Sequence, residues 1–200
     1  MHNDSVDFVV KSIQKTPLVN LNGLIYQEYE EFFDDFLMAK ITNEYNLSEL
    51  DYLEDQEHKP RKKISYLSKL SKELHIFFSN KKITTTLEKI YQIKLKFCSA
   101  DIWNDSTQYF LHPHIDDYRI KLAIQIYLGE LPASSTKFFS SNVSQITEHN
   151  VWKKEYLIHE VNEIVYKKNK GYSLLNNEYS WHGVQPNPTD NRLSVYVRYK

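Results

Sequence analysis

Two segments in the C-terminal half of the chain alternate strictly between apolar and polar positions. In the first, Leu122, Ile124, Ile126 and Leu128 interleave with Lys121, Ala123, Gln125 and Tyr127. In the second, Leu193, Val195, Val197 and Tyr199 interleave with Arg192, Ser194, Tyr196 and Arg198. Successive strand side chains point to opposite faces, so each segment reads as a strand with one apolar and one polar face. Further strands are predicted over 95–103, 109–116, 137–140, 160–166 and 172–176, with a short one near His182. Toward the N-terminus the spacing changes to that of helices. The segment 24–41 carries Leu24, Ile25, Phe32, Phe33, Phe36 and Leu37; 64–78 carries Tyr66, Leu67, Leu70, Leu74, Phe77 and Phe78. A third helix is predicted over 84–93, with Thr84 or Thr85 and Glu88 as its start signal.

The change of period divides the chain into a mainly helical part, residues 1–94, and a mainly stranded part, residues 95–200. No internal repeat and no Pro/Gly-rich linker separates them, so residues 1–200 read as a single domain. The strand count approaches that of a double-sheet jelly roll, and the predicted class is α+β with the N-terminal helices packed on one sheet. If the apolar faces lie under those helices, the polar faces line an interior able to hold a polar ligand. Gln125, Tyr127, Arg192, Ser194, Tyr196 and Arg198 would then face that interior. The plainer alternative is a half-buried sheet whose polar face meets water.

Chemistry concentrates in His114-Ile115-Asp116 and the distant His182. Two imidazoles and one carboxylate suit a borderline divalent metal, and three protein ligands leave positions open, unlike a closed structural zinc site. His112 shares the strand parity of His114, but the H-x-D spacing selects His114. Asp117 has the wrong spacing to replace Asp116. His75 falls in a predicted helix, and His58, His149 and His159 have no partner motif. Trp181 and Tyr179, just before His182, suit either packing over the site or stacking on a substrate.

The run Tyr179-Ser-Trp181-His182-Gly-Val, the ending Arg192-Leu-Ser194-Val-Tyr196-Val-Arg198, and His114-Ile-Asp116 leading into Tyr127-Leu128 resemble the 2-oxoglutarate and Fe(II)-dependent oxygenases. The pattern H-x-D…H…R-x-S is prolyl-hydroxylase-like, and the resemblance spans about residues 95–200. It implies a double-stranded β-helix, cupin-like fold, with His114, Asp116 and His182 as catalytic centre and Fe(II) ligands. Arg192 would pair bidentately with the far carboxylate of 2-oxoglutarate. Ser194 would donate to the same carboxylate and Tyr127 would add a third bond; parity puts Gln125 and Arg198 in the same co-substrate group. The activity implied is oxidative decarboxylation of 2-oxoglutarate with O2, coupled to hydroxylation of a small molecule, sugar or protein side chain. A carboxylate at Asp116, where halogenating relatives have a small residue, agrees with hydroxylation. Two alternatives stay open. Arg192 and Arg198 have the R-x5-R spacing of nucleic-acid dealkylating oxygenases, although Ser194 and Tyr196 stand where those carry Asn and Thr. The other is a non-catalytic metal- or ligand-binding jelly roll.

Composition narrows the setting. The chain has 200 residues, 41% hydrophobic and 14% aromatic, which suits one folded globule. Its single cysteine, Cys98, excludes an internal disulfide and points to a reducing, cytoplasmic compartment. Residues 1–10 include Asp4 and Asp7 and lack a basic start or a long apolar run, so neither a signal peptide nor a membrane span is expected there. Charge is uneven: residues 26–56 hold ten acids and one base, residues 57–96 eleven bases and three acids. The second stretch, headed by Lys59-Pro-Arg61-Lys62-Lys63, reads either as a phosphate-binding surface or as a solvated face opposed to neighbouring helices of opposite sign. Nucleic acid is not the expected partner.

Overall fold

The computed structural model describes residues 3–47, 52–54, 61–64, 68–107, 109–131, 134–141, 158–184 and 190–200. In chain order the elements are α1 (Asn3–Lys15), β1 (Val19–Leu21), β2 (Leu24–Tyr29), α2 (Asp35–Leu47), β3 (Tyr52–Glu54), β4 (Arg61–Lys63), α3 (Lys69–Phe78) and α4 (Lys81–Tyr91). These are followed by β5 (Phe97–Asp105), β6 (Leu111–His114), β7 (Leu122–Tyr127), β8 (Ser135–Ser141), β9 (Ile158–Val165), β10 (Gly171–Leu175), β11 (His182–Val184) and β12 (Arg192–Tyr199). The strands form two antiparallel sheets. The larger has the order β1-β2-β10-β7-β12-β5-β4-β3, the smaller β6-β11-β8-β9.

Alternation along β7 and β12 sorts their side chains into two cores. Leu122, Ile124 and Ile126 join Val195, Val197 and Tyr199 beneath the helices, which contribute Val9, Leu37, Leu74 and Leu87 among others. The other face of the large sheet meets the small one, where Tyr26, Tyr127, Phe138, Tyr166, Tyr172 and Leu174 cluster. Phe138 of β8 stands edge-on to Tyr26 and Tyr172, at 4.9 and 5.2 Å between ring centroids. Helices on one face and a second sheet on the other leave β7 buried along its whole length.

The N-terminal half departs from the periodicity in several places. The segment 24–41 is not one helix: β2 pairs with β10, and α2 begins only at Asp35. Asp34 caps that helix, its carboxylate accepting from the Leu37 amide at 2.7 Å. The apparent helical spacing was the sum of two unrelated patterns, and Phe36, assigned to the apolar face, is 54% exposed. α4 starts three residues early, capped by Asn80 instead of Thr84 or Thr85. Glu88 reaches forward to the Leu95 amide at 2.9 Å, so it plays no part in a capping box. α3 starts after its cap Ser68, and Tyr66 and Leu67 lie outside the described residues. Helix α1 and strands β1, β3 and β4 had no clear signal. The eight strands expected from residue 95 onward are all present, with ends shifted by up to two residues.

Charged residues among the described ones pair both between helices and across strands. Lys40, the lone base of the acidic stretch, pairs with Glu73 of the basic one at 2.9 Å. Lys170 bridges Glu28 and Glu30 at 2.7 and 2.8 Å. In the basic run, Arg61 pairs with Asp105 and Lys63 with Asp101, both on the adjacent β5, at 2.9 and 2.8 Å. None of the described helices is long and apolar enough to cross a membrane.

Between the helices and the large sheet lies a buried hydroxyl cluster. Ser173 Oγ is 2.6 Å from both Tyr29 and Tyr91 hydroxyls, and Tyr29 also donates to Gln27 at 2.9 Å. Ser173→Ala removes the shared hydroxyl while Tyr29 keeps Gln27 and Tyr91 keeps the Ser173 carbonyl at 3.0 Å, so it is expected to cost about 0.5–1.5 kcal/mol of stability. Urea unfolding checks this: an unchanged midpoint would show the cluster to be energetically idle.

Candidate metal centre

His114 ends β6 and His182 begins β11, and the two are direct antiparallel partners. Residues directly opposite in such a pair project to the same side. Their rings accordingly lie 4.3 Å apart between centroids. Gly183 makes the pairing possible. A Cβ there would stand 2.7 Å from the Leu111 carbonyl oxygen and 3.1 Å from the Pro113 nitrogen, at the register irregularity between β6 and β11. Only glycine admits so close a backbone.

Asp116 follows β6 and turns back toward both rings, with Oδ1 at 3.7 Å from His114 Nε2. One potential ligand atom from each of His114, Asp116 and His182 lies within 4.8 Å of the others. Both imidazoles are fixed in the same way. His114 Nδ1 is 2.9 Å from the His112 carbonyl, and His182 Nδ1 is 2.9 Å from the Ser180 carbonyl. A carbonyl can only accept, so each Nδ1 carries a proton and Nε2 is the ring nitrogen left to face the centre. His182 is buried, and desolvation, aided by the neighbouring His114, pushes its pKa down to about 4. It is a neutral donor at ordinary pH.

Burial alone would raise the pKa of Asp116, but His114, His182 and the Tyr196 hydroxyl together hold it well below the usual carboxylate range. The Tyr196 hydroxyl donates to Asp116 Oδ2 at 2.8 Å and leaves Oδ1 toward the histidines. Asp117 turns away and pairs with Arg119, as the spacing required. His112 is exposed; its contribution to the centre is its carbonyl. His75 packs edge-on against Phe97, His159 is exposed on β9, and His58 and His149 lie outside the described residues.

The polar faces of β7 and β12 meet behind this centre. Gln125 bridges two hydroxyls, donating to Ser194 Oγ at 3.1 Å and accepting from Tyr172 at 2.8 Å. Tyr127 donates to Thr136 Oγ1 of β8 at 2.7 Å. Arg192, at the start of β12, is 1% exposed. Its guanidinium lies 5.7 and 5.4 Å from the Tyr127 and Tyr166 ring centroids, and its Nη2 makes one long contact of 3.4 Å to Thr136. Its Nε and Nη1 have no hydrogen-bond partner. The facing residue in register, Asp105, is already bound by Arg61. A buried cation with open donors is costly unless an anion meets it, and a planar carboxylate matches the fork of a guanidinium.

Arg198 shares the face of Arg192 but not its neighbourhood. Six residues of strand put it roughly 20 Å away, beside Tyr196, where it donates to Ser99 and Asp101 at 3.0 and 3.1 Å. Trp181 is buried, and Tyr179 is 42% exposed with its ring against Gly23 in the β1–β2 turn. Thr136, Tyr166 and Tyr172 were not anticipated. Parity along the predicted 172–176 strand would have found Tyr172, whereas Thr136 fell one residue outside the predicted 137–140 strand.

No family model and no curated protein matches the sequence. Solved structures do match in fold. A Pseudomonas putida prolyl-4-hydroxylase is 12% identical with a TM-score of 0.60, covering 98% of each chain. The non-haem alpha-ketoglutarate-dependent epimerase SnoN from nogalamycin biosynthesis is 12% identical with a TM-score of 0.66, over 97% of this chain and 80% of that one. HygX from Streptomyces hygroscopicus, crystallised with nickel and 2-oxoglutarate, is 10% identical with a TM-score of 0.60, over 100% of this chain and 87% of that one. The chain therefore has the fold of the prolyl hydroxylases and 2-oxoglutarate Fe(II) oxygenases, and within that fold His114, Asp116 and His182 form a group able to hold a metal ion.

Proposed function

We propose that the protein is a non-haem Fe(II) dioxygenase, on a closed jelly roll, that couples oxidative decarboxylation of 2-oxoglutarate to hydroxylation of a substrate. The observation that carries this reading is Arg192, a buried guanidinium with two unpartnered nitrogens on the same inner face of β12 as Tyr196, whose hydroxyl bonds Asp116 of the metal group. A metal group alone would suit many proteins. Joined to a carboxylate receptor it suits a co-substrate that chelates at one end and is anionic at the other.

On this reading His114 and His182 offer neutral Nε2 atoms, Asp116 offers Oδ1, and Tyr196 keeps Oδ2 engaged. Arg192 forks onto the far carboxylate, with Ser194 and Tyr127 beside it and Gln125 orienting the Ser194 hydroxyl. Fe(II), when bound, supplies the activation of O2 that no side chain here could provide. The chain's own part is to fix the ligands, anchor the co-substrate and exclude water with Tyr127, Tyr166, Tyr172 and Trp181. Arg198, tied to Asp101, stands at the metal end of β12 and not among the groups around the anchored carboxylate. The substrate is assigned as a small molecule, sugar or protein side chain. Proteins of this fold include one crystallised with hygromycin B and one with a peptide fragment of hypoxia inducible factor. Nucleic-acid dealkylation is disfavoured, because Arg61 and Lys63 of the basic run are neutralised by Asp105 and Asp101. The single Cys98 is free, in keeping with a cytoplasmic setting.

His114→Ala, Asp116→Ala and His182→Ala should each abolish succinate release from 2-oxoglutarate and strip the purified protein of iron, while far-UV circular dichroism stays unchanged. Full activity in Asp116→Ala would sink the ligand assignment. Arg192→Ala should weaken 2-oxoglutarate binding at least about 10-fold, since a hydrogen bond to a charged group is worth about 1.5–3 kcal/mol. Anaerobic calorimetry giving the same affinity for variant and wild type would reject the anchor.

A further inference from the structure

The metal ligands sit on two chain segments that belong to different parts of the fold: the turn after β6, which carries Asp116, and the start of β11, which carries His182. One short stretch, 176–180, touches both. The Asn176 side-chain amide Nδ2 lies 3.2, 3.1 and 2.8 Å from the carbonyl oxygens of Asp116, Asp117 and Ile120. Its two protons are therefore shared among three acceptors of a single turn, which gathers those carbonyls around one point. The Asn176 backbone amide donates to Lys121 O at 2.9 Å, closing the same turn from its other end.

The other half of the Asn176 side chain faces the second segment. Its Oδ1 is 3.0 Å from the hydroxyl of Ser180, which is fully buried and also reaches the Asn177 carbonyl at 2.8 Å. The carbonyl of that same Ser180 accepts the Nδ1 proton of His182 and sets the aim of its Nε2. A continuous path thus runs from the Asp116 carbonyl through Asn176 and Ser180 to the His182 ring, without passing through the metal position. Asparagine alone among the short side chains donates on one side and accepts on the other in this manner.

We infer that Asn176 is a positioning residue for the metal centre, holding the Asp116 turn and the His182 ring in register before any metal arrives. The inference rests on the ligand set proposed above and goes beyond it, because it assigns preorganisation to a side chain that touches neither metal nor co-substrate. Groups that orient metal ligands commonly change affinity by about 10–100-fold when removed. Asn176 acts on two ligands at once, which places it in that range.

Anaerobic titration with Co(II), followed by its visible absorption, tests both steps separately. Wild type should bind one Co(II) and His114→Ala should not; binding that survives His114→Ala would overturn the ligand set itself. With that set intact, Asn176→Ala should weaken Co(II) by about 10–100-fold and shift the absorption bands of the bound ion. Asn176→Asp retains the acceptor for Ser180 but loses the donors to the three carbonyls, and should bind as poorly as the alanine variant. Ser180→Ala, which keeps the carbonyl beneath His182, should show a smaller loss of several-fold and serves as the test if neither Asn176 variant folds. A purely structural role would lower the melting temperature and leave Co(II) affinity and spectrum at wild-type values. That outcome in either folded Asn176 variant, or in Ser180→Ala alone, would overturn the proposal.

Discussion

A strand buried on both faces must divide its side chains between two environments, and β7 imposes that division on the whole molecule. Its apolar set, Leu122, Ile124 and Ile126, packs under the helices with Val195, Val197 and Tyr199 of β12. Because the side-chain period is two, a one-residue slip between these strands would send Arg192 and Ser194 into the helix-side core and the valines into the chamber. The hydrophobic core thereby locks the register that sets Ser194 beside Tyr127 and Tyr196 beside Gln125. The chemistry of the inner face is a consequence of packing on the outer one.

Charge follows the same logic. The inner face of the large sheet carries several buried or half-buried ions, and most are matched: Arg61 to Asp105, and Lys63 and Arg198 to Asp101. Arg192 is the exception: Asp105 faces it in register but is bound by Arg61, and the guanidinium itself contacts two aromatic rings and one threonine hydroxyl. A protein tolerates such an imbalance at a functional site when a ligand completes it. At the other end of the chamber, His114, Asp116 and His182 present converging lone pairs held by bonds to backbone carbonyls and to Tyr196. On the function proposed above, the two ends would meet different parts of one small chelating anion.

Backbone geometry does as much as side-chain chemistry in assembling the centre. Gly183 lets β11 approach β6 closely enough for the two histidines to face one another. The turn after β6 then returns Asp116 to the rings while Asp117 is drawn off by Arg119. Asn176 ties that turn to the stretch leading into β11. Each device is local, and together they bring into one place residues that are far apart along the chain.

Much of the C-terminal half was readable from the chain alone, because strands that separate an apolar core from a polar chamber must alternate, and alternation is written residue by residue. The H-x-D spacing and the parity of Arg192, Ser194, Gln125, Tyr127 and Tyr196 were legible for the same reason: they depend on neighbours in sequence. The N-terminal half was not. β2 and α2 together imitated one helix, and the short β4 read as a free basic patch, because their identity depends on pairing with β10 and β5. Thr136 and Tyr166 joined the inner face beside Arg192 only through contact between the two sheets. Local periodicity determines which way a side chain points; which side chains meet across sheets, and which charges are left without a partner, is decided by tertiary packing.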